Sequence, residues 1–168
     1  MKKVFLILVI SLQFTLLSAQ TSLETRSINN TQIIIPTFKN LLSLAVAKSD
    51  VLKNMMKNNE YQNLNTQKDS VFYPKSNDKS IKLNLSYSIT KDKANNLLIM
   101  TFQENGPKLI SEFRTEIKNK YPSAKTQING ANEQYVVNLD GKFDVIFFVK
   151  DMSKMVKSST AASVAIMF

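Results

Sequence analysis

The sequence of 168 residues contains no histidine and no cysteine, and it has only three glycines. Without imidazole and thiol groups the chain cannot form Ser-His-Asp or Cys-His nucleophile systems, and it lacks the nitrogen and sulfur ligands of zinc sites. Glycines this few and this isolated exclude a phosphate-cradling loop. Any enzyme chemistry would depend on carboxylates, lysine or tyrosine, so we expect no cofactor, no metal and no catalytic residue.

The carboxylates have simpler explanations than catalysis. Glu112 and Glu116 lie one turn apart in a predicted helix, as a general acid and base could. The helical pattern places both on the solvent side, and Glu116 precedes Lys120 at the spacing of a helical ion pair. Asp140 and Asp144 fit a turn and the outer face of a strand, and a calcium site would need more oxygen ligands. The sequence therefore predicts that the protein is not an enzyme.

Residues 1–19 have the composition of a secretory signal peptide. Lysines near the start precede an apolar run, and the small residues Ser18 and Ala19 end it. The run over residues 4–17 is too short and too polar for a membrane span, so we expect no stable membrane insertion. We expect cleavage after Ala19, or one residue later, and export to the periplasm or out of the cell. The lack of cysteine excludes a lipid-modified N-terminus.

The formal net charge is +9, and the basic residues are spread along the chain without a dense cluster. This distribution is typical of a charge that serves solubility. Export also argues against nucleic acid as the partner. Since no disulfide can form, stability must come from an apolar core, which a chain of this length can build.

Residues 20–35 are predicted to be a flexible leader before a single domain over residues 36–168. Within the leader, three isoleucines precede Pro36 and could form a short edge strand or an extended arm. Residues 37–59 then show helical periodicity. They predict two short helices, or one helix with a bend near Lys48.

Three strands are predicted next, over residues 71–73, 81–89 and 97–102, with a polar turn over residues 91–96. The second of them alternates without error between apolar and polar positions, which is typical of a half-buried antiparallel strand. Its polar positions are Lys82, Asn84, Ser86 and Ser88.

The clearest helical signal covers residues 107–122. Asn105 is a plausible cap for this helix, and its apolar residues form one stripe, which comprises Leu109, Ile110, Phe113, Ile117 and Tyr121. The dipeptides Asn129-Gly130 and Asp140-Gly141 then bracket a strand over residues 133–138, and both favour hairpin turns.

The register of the second hairpin can be argued from the alternation of its strands. A two-residue loop would mix polar and apolar side chains on each face, whereas a three-residue loop at residues 139–141, with Gly141 left-handed, separates them. The three-residue loop sets Val137 opposite Phe143 and Tyr135 opposite Val145. The strand over residues 142–150 then turns one set of side chains inward, namely Phe143, Val145, Phe147 and Val149.

The two halves follow the same order, in which a helix precedes strands and an apolar strand comes last. This order suggests a duplicated α-β-β-β unit, with one copy over residues 36–104 and the other over residues 105–168. The predicted fold is α+β, an antiparallel sheet of six or seven strands with helices packed on one face. Its other face would carry the candidate partner-binding residues, which are Lys82, Asn84, Ser86, Ser88, Ile146 and Phe148. That face is either open or covered by the isoleucine arm.

Residues 113–151 read FRTEIKNKYPSAKTQINGANEQYVVNLDGKFDVIFFVKD. This stretch resembles small secreted bacterial domains of the PepSY-like type, in which a helix runs into a Tyr-Pro segment, a tyrosine-containing strand, a turn glycine and an alternating strand. The matching positions are Tyr121, Pro122, Ser123, Ala124, Tyr135 and Gly141. The resemblance implies a periplasmic or secreted binding module that inhibits or regulates a peptidase.

The leading hypothesis is an exported, non-enzymatic binding module that acts on a protein or cell-envelope partner through the outer sheet face. The alternative is a structural or ligand-carrying secreted protein with an apolar pocket between the helices and the sheet. A carboxylate hydrolase that uses Glu112 and Glu116 is the third hypothesis.

Overall fold

Helices cover one face of a long antiparallel sheet in the computed structural model, which describes residues 22–65, 69–75, 87–92, 97–141 and 143–167. The fold is α+β, as predicted. In chain order its elements are β1 (Thr25–Ile28), β2 (Thr31–Ile34), α1 (Phe38–Val46), α2 (Ser49–Asn58), β3 (Tyr61–Asn65), β4 (Asp69–Pro74), β5 (Tyr87–Asp92), β6 (Leu97–Phe102), α3 (Gly106–Lys120), β7 (Lys125–Asn129), β8 (Asn132–Leu139), β9 (Phe143–Asp151) and β10 (Ala162–Met167).

The main sheet has eight strands in the order β3-β4-β5-β6-β10-β9-β8-β7, and every neighbouring pair is antiparallel. In each predicted half of the chain, the α-helices come first and four consecutive strands follow. The two halves meet where β10 pairs with β6. The predicted count of six or seven strands is therefore too low. The prediction missed β3 and β7, whose sequences YQNLN and KTQIN are polar and lack an apolar alternation.

The core lies between the sheet and the helices. The inward side chains of the central strands are fully buried, with Val164 and Phe147 both at 0% exposure. Phe147 stands between two helices, because its ring lies 5.4 Å from Phe38 of α1 and 5.4 Å from Phe113 of α3. The predicted apolar stripe of α3 is confirmed, since Phe113 and its partners are buried and Tyr121 packs on Phe38 at 4.6 Å.

The break between the first two helices is confirmed. α1 ends at Val46 and α2 begins at Ser49. Thr37 caps α1 by accepting a hydrogen bond from the Asn40 N–H at 3.2 Å. A second donor of this helix end, the Phe38 N–H, binds a carboxylate of α3, as described below.

The predicted flexible leader is wrong for residues 25–34, which form the two-stranded sheet of β1 and β2. Its two-residue turn is Asn29-Asn30, and both residues have positive φ, at 48° and 61°, as a type I′ turn requires. The buried amide of Asn40 fixes this hairpin to α1, because its Nδ2 donates to the carbonyls of Glu24 and Ile35, each at 2.8 Å.

The register of the β8–β9 hairpin differs from the prediction by two residues. Leu139 pairs with Phe143 and Val137 with Val145, so the loop lies between Leu139 and Phe143. The loop has three residues, and Gly141 is left-handed with φ of 68°, as predicted. A shift of two keeps every side chain on its face, but it leaves Phe143 at the end of the sheet, 42% exposed rather than buried.

The predicted strand over residues 81–89 falls mostly outside the described residues. Its described part begins β5, which continues to Asp92, so the prediction of a turn from Lys91 is wrong. Lys91 instead faces the helices, and its Nζ donates a hydrogen bond to the carbonyl of Ala45 in α1. Among the helices that the structure describes, none has the length and apolar character needed to cross a membrane.

The first residue of α3 makes a backbone contact that admits no side chain. The N–H of Gly106 donates to the carbonyl of Thr160 at 2.9 Å. A Cβ at this position would lie 2.6 Å from the backbone nitrogen of Ala162 and 2.7 Å from the Thr160 oxygen. Asn105 precedes the helix, as predicted, but it is left-handed, with φ of 55°, and makes no side-chain capping bond.

We predict that Gly106→Ala lowers the free energy of unfolding by about 2 kcal/mol, because backbone atoms of β10 cannot yield to the new methyl group. Helix propensity alone predicts the opposite sign, a gain of up to about 1 kcal/mol. Urea denaturation distinguishes these two expected changes in the free energy of unfolding. Ser111→Ala, at an exposed position of the same helix, is the control, and a stabilised Gly106→Ala protein would contradict this packing.

Candidate functional site

The face of the main sheet that points away from the helices carries the candidate site. We call it the open face and define it by the outward side chains of the central strands, which are Val71, Ser88, Thr90, Leu97, Ile99, Thr101, Gln134, Val136, Ile146, Phe148, Lys150, Ser163, Ala165 and Met167. They alternate along each strand with the buried core residues. Most are half-buried by their neighbours, and Phe148 is 39% exposed.

Apolar side chains occupy the middle of the open face in neighbouring cross-strand rows. One row places Ala165 between Ile99 and Phe148. The next row places Ile146 between Met167 and Val136. Antiparallel partners on one face lie within about 5.5 Å of each other, so these residues form one continuous patch.

Polar groups border this patch. On one side lie the paired residues Thr101 and Ser163, with Lys150 and Ser88 as their next neighbours in the same row. On the other side the Asn138 amide donates to Asp144 at 2.8 Å. The open face thus has an apolar centre and a polar margin.

The structure brings three of the six predicted partner-binding residues to this face. Ile146 and Phe148 lie in the apolar centre, and Ser88 lies at the margin, separated from Lys150 by the two strands β6 and β10. Lys82, Asn84 and Ser86 lie outside the described residues.

The isoleucine arm does not cover the open face. Ile33 and Ile34 are buried in the core on the helix side, at 0% and 1% exposure, and the Ile34 N–H donates to the buried Tyr61 hydroxyl at 2.9 Å. The three helices also bury their apolar sides in that core. Of the elements that the structure describes, none lies across the open face.

A second group of polar residues lies on the helix side of the sheet, where Glu133 and Asp151 are buried. Arg114 of α3 donates two hydrogen bonds to Glu133 of β8, both at 2.8 Å, and one to Asp151 of β9 at 3.0 Å. Glu133 also accepts from Tyr135 at 2.6 Å and from Lys154. We call these five residues the ionic cluster. It ties α3 to the two strands beneath it.

Residues of the ionic cluster have shifted pKa values. The directions of these shifts indicate a structural role for the cluster rather than acid-base catalysis. The pKa of Glu133 falls to about 2, since the stabilising hydrogen bonds from Arg114, Lys154 and Tyr135 outweigh desolvation by burial. Burial, together with the bond to Glu133, raises the pKa of Tyr135 to about 12. Both pKa values move away from neutral pH, whereas a general acid or base works best when its pKa lies near the operating pH. The cluster therefore acts as a fixed ion pair network.

The sequence contains a pattern that indicates this cluster, although the cluster was not predicted. Glu133 and Asp151 both occupy inward positions of their strands, where the alternation demands apolar residues. A charged residue on a buried face requires a partner. Arg114 lies beside the apolar stripe of α3 and is the cation that reaches both.

The predicted ion pair between Glu116 and Lys120 is confirmed, at 2.7 Å. The prediction that Glu116 is solvated is wrong, because its side chain is only 16% exposed and its second oxygen accepts the Phe38 N–H at 2.9 Å. This bond attaches α3 to the start of α1, where a negative charge is favoured. Glu112 is exposed and pairs with Arg26 at 2.8 Å.

Metal binding finds no support in the described part of the chain, where no three carboxylate, histidine or cysteine side chains form a group that could hold an ion. Comparison with known proteins adds no family to this geometry. No family model, no curated protein and no solved structure matches the chain. The functional interpretation therefore rests on the residues themselves.

The ionic cluster generates a pH-dependent prediction. The pKa of Glu133 is about 2 in the folded protein against an ordinary 4.5, so its contribution to stability is present above the ordinary value and is lost as the pH falls towards 2. At neutral pH, Glu133→Gln should lower the free energy of unfolding by about 2 kcal/mol, because a charged hydrogen-bonded pair is broken. Urea denaturation at several pH values should show this difference shrinking as the pH falls.

The matched control is Glu112→Gln, which breaks the exposed pair with Arg26 and should cost less than about 1 kcal/mol. The role of the cluster would be contradicted if both variants lowered the free energy of unfolding equally. It would also be contradicted if the loss in Glu133→Gln became larger at acidic pH.

Proposed function

We propose that the protein is an exported, non-enzymatic module that binds a protein or cell-envelope partner through the open face. The observation that carries this proposal is the apolar centre of that face, where Ile99 of β6 and Ile146 and Phe148 of β9 lie on either side of β10 without a covering layer among the described elements. Contiguous apolar surface of this kind marks interaction sites.

The arrangement of the patch also has the form of an interface. Protein interfaces concentrate binding energy in central aromatic and large apolar side chains and surround them with polar residues. Phe148 provides the exposed aromatic ring at the centre, while Lys150, Gln134 and Asn138 lie around it. Complete burial of one large apolar side chain contributes about 1.5 to 3 kcal/mol, so these residues would supply much of the binding energy once a partner covers them.

Export and a regulatory role belong to the same proposal. They are supported by the signal-peptide pattern of residues 1–19 and by the resemblance of residues 113–151 to PepSY-like domains. A secreted regulator needs no catalytic group of its own. The absence of histidine and cysteine, and the mutual saturation of the ionic cluster, fit that role.

The alternative of an apolar-ligand carrier is supported less well. Such a carrier needs open space between the helices and the sheet. The rings of Phe38, Phe113 and Phe147 pack together in that layer, and the side chains around them are fully buried. On the opposite side of the sheet, by contrast, apolar surface remains accessible at Phe148.

We predict that Phe148→Glu abolishes partner capture from a cell-envelope extract while the fold is retained. A buried, unpaired carboxylate at the centre of an interface weakens binding by about tenfold or more. Phe148 is already 39% exposed, so the melting temperature should change little. Mass spectrometry of material captured by the tagged protein provides the measurement.

The control is Val156→Glu, which adds the same charge at an exposed apolar residue outside the main sheet. Capture of the same partner by the Phe148→Glu protein and the parent protein would refute a role for the open face.

A further inference from the structure

A second surface, apart from the open face, lies at one edge of the main sheet. β7 is the last strand in the sheet order, and it pairs only with β8 among the strands that the structure describes. All five of its residues are exposed. Such an edge presents main-chain donors and acceptors that another extended chain can use.

The hairpin geometry identifies which main-chain groups are available. Gly130-Ala131 forms the two-residue turn between β7 and β8, so the flanking residues Asn129 and Asn132 make the first hydrogen-bonded pair of the ladder. Hydrogen-bonded and non-hydrogen-bonded pairs alternate from there. Thr126 and Ile128 fall at non-hydrogen-bonded positions, and their N–H and C=O groups therefore point out from the free edge.

The side chains of the same two residues face the helix side of the sheet. Thr126 pairs with Tyr135 and Ile128 pairs with Glu133, and both partners are buried beneath α3. α3 does not extend over β7, because Ile128 is 66% exposed, the most exposed of the large apolar residues in the described part of the chain. An apolar side chain is thus left in water directly beside an unpaired edge.

A surface cleft of about 300 Å³ lies between α3 and these strands. Thr126 and Tyr135 line it from the sheet, and Arg114 and Lys118 line it from the helix. Its lining contains two cations and no carboxylate. Arg114 remains 25% exposed beside its bonds to Glu133 and Asp151, and Lys118 is exposed at the surface. The cleft therefore favours an anionic group.

Proteins usually protect an edge strand with several charges, a proline or a bulge. β7 has the sequence KTQIN, which contains one lysine and no proline. Its edge, the exposed isoleucine and the cationic cleft together fit one kind of occupant. We infer that β7 binds an extended, acidic peptide segment of a partner protein by strand addition.

In this complex the peptide backbone hydrogen-bonds to Thr126 and Ile128, and an apolar side chain of the peptide covers Ile128. A neighbouring carboxylate of the peptide meets Lys118 and the exposed part of Arg114. A second copy of this chain fits less well, because each molecule carries a net charge of +9 and pairing of two β7 strands would bring two cationic clefts together. This site is distinct from the open face and does not depend on it.

The test uses a short fluorescently labelled peptide in which glutamate and valine alternate, and a second in which lysine replaces glutamate. The acidic peptide should bind the parent protein, and the basic one should not. On binding, hydrogen exchange at the Thr126 and Ile128 amides should slow by about tenfold or more, because both become hydrogen-bonded.

Two variants separate the backbone contribution from the charge. Thr126→Pro removes an outward N–H without losing a ladder bond, so the fold is kept while binding weakens by about tenfold or more. Lys118→Glu reverses the charge in the cleft and should weaken binding similarly. Phe148→Glu leaves peptide binding unchanged, even where it abolishes capture through the open face.

Binding of the acidic peptide that persists in Thr126→Pro, or that leaves the Thr126 and Ile128 amides unprotected, would overturn strand addition. Equal binding of both peptides, or no binding of either, would overturn it as well.

Discussion

The placement of all three helices on one side of the sheet determines the rest of this structure. Phe147 is the central contact of that side, since it packs on Phe38 of α1 and Phe113 of α3 at the same distance of 5.4 Å. Once this layer is filled, the described chain has no further helix for the other side. One face of the sheet is therefore core and the other is surface, and none of the described helices covers its outward apolar residues.

Polar contacts fix α3 in this layer at three points along its length. Gly106 allows its start to touch the backbone of β10, Arg114 joins its middle to Glu133 and Asp151, and Glu116 joins it to the start of α1. The contacts of Arg114 and Glu116 are partly buried, so removing one partner of either costs more than it does in an exposed ion pair. They hold the helix over β8 and β9 and leave β7 uncovered, which creates the edge beside the cationic cleft.

Local patterns predicted the parts of the fold that have strong periodicity, namely α3, β6 and β10, and the outward placement of Ile146 and Phe148. The alternation of side chains along a strand fixes the face on which each residue lies, but a register shift of two residues leaves those faces unchanged. For this reason the predicted β8–β9 register was wrong. The polar edge strands β3 and β7 owe their conformation to pairing with a neighbour rather than to their own sequences. Alternation marks Glu133 and Asp151 as charged residues at inward positions, but it does not identify Arg114, their shared partner, which lies far from both in the chain.

The central claim is that the outer sheet face is accessible in the free protein and occupied in the complex, and thiol labelling tests it directly. The natural chain has no cysteine, so a single introduced thiol reports one position. Ser163→Cys on the open face should react in the native protein within about tenfold of the unfolded rate, and Val164→Cys, fully buried, should react only on unfolding. Addition of the captured partner should then protect the first thiol. Equal protection of both thiols in the free protein would contradict the account.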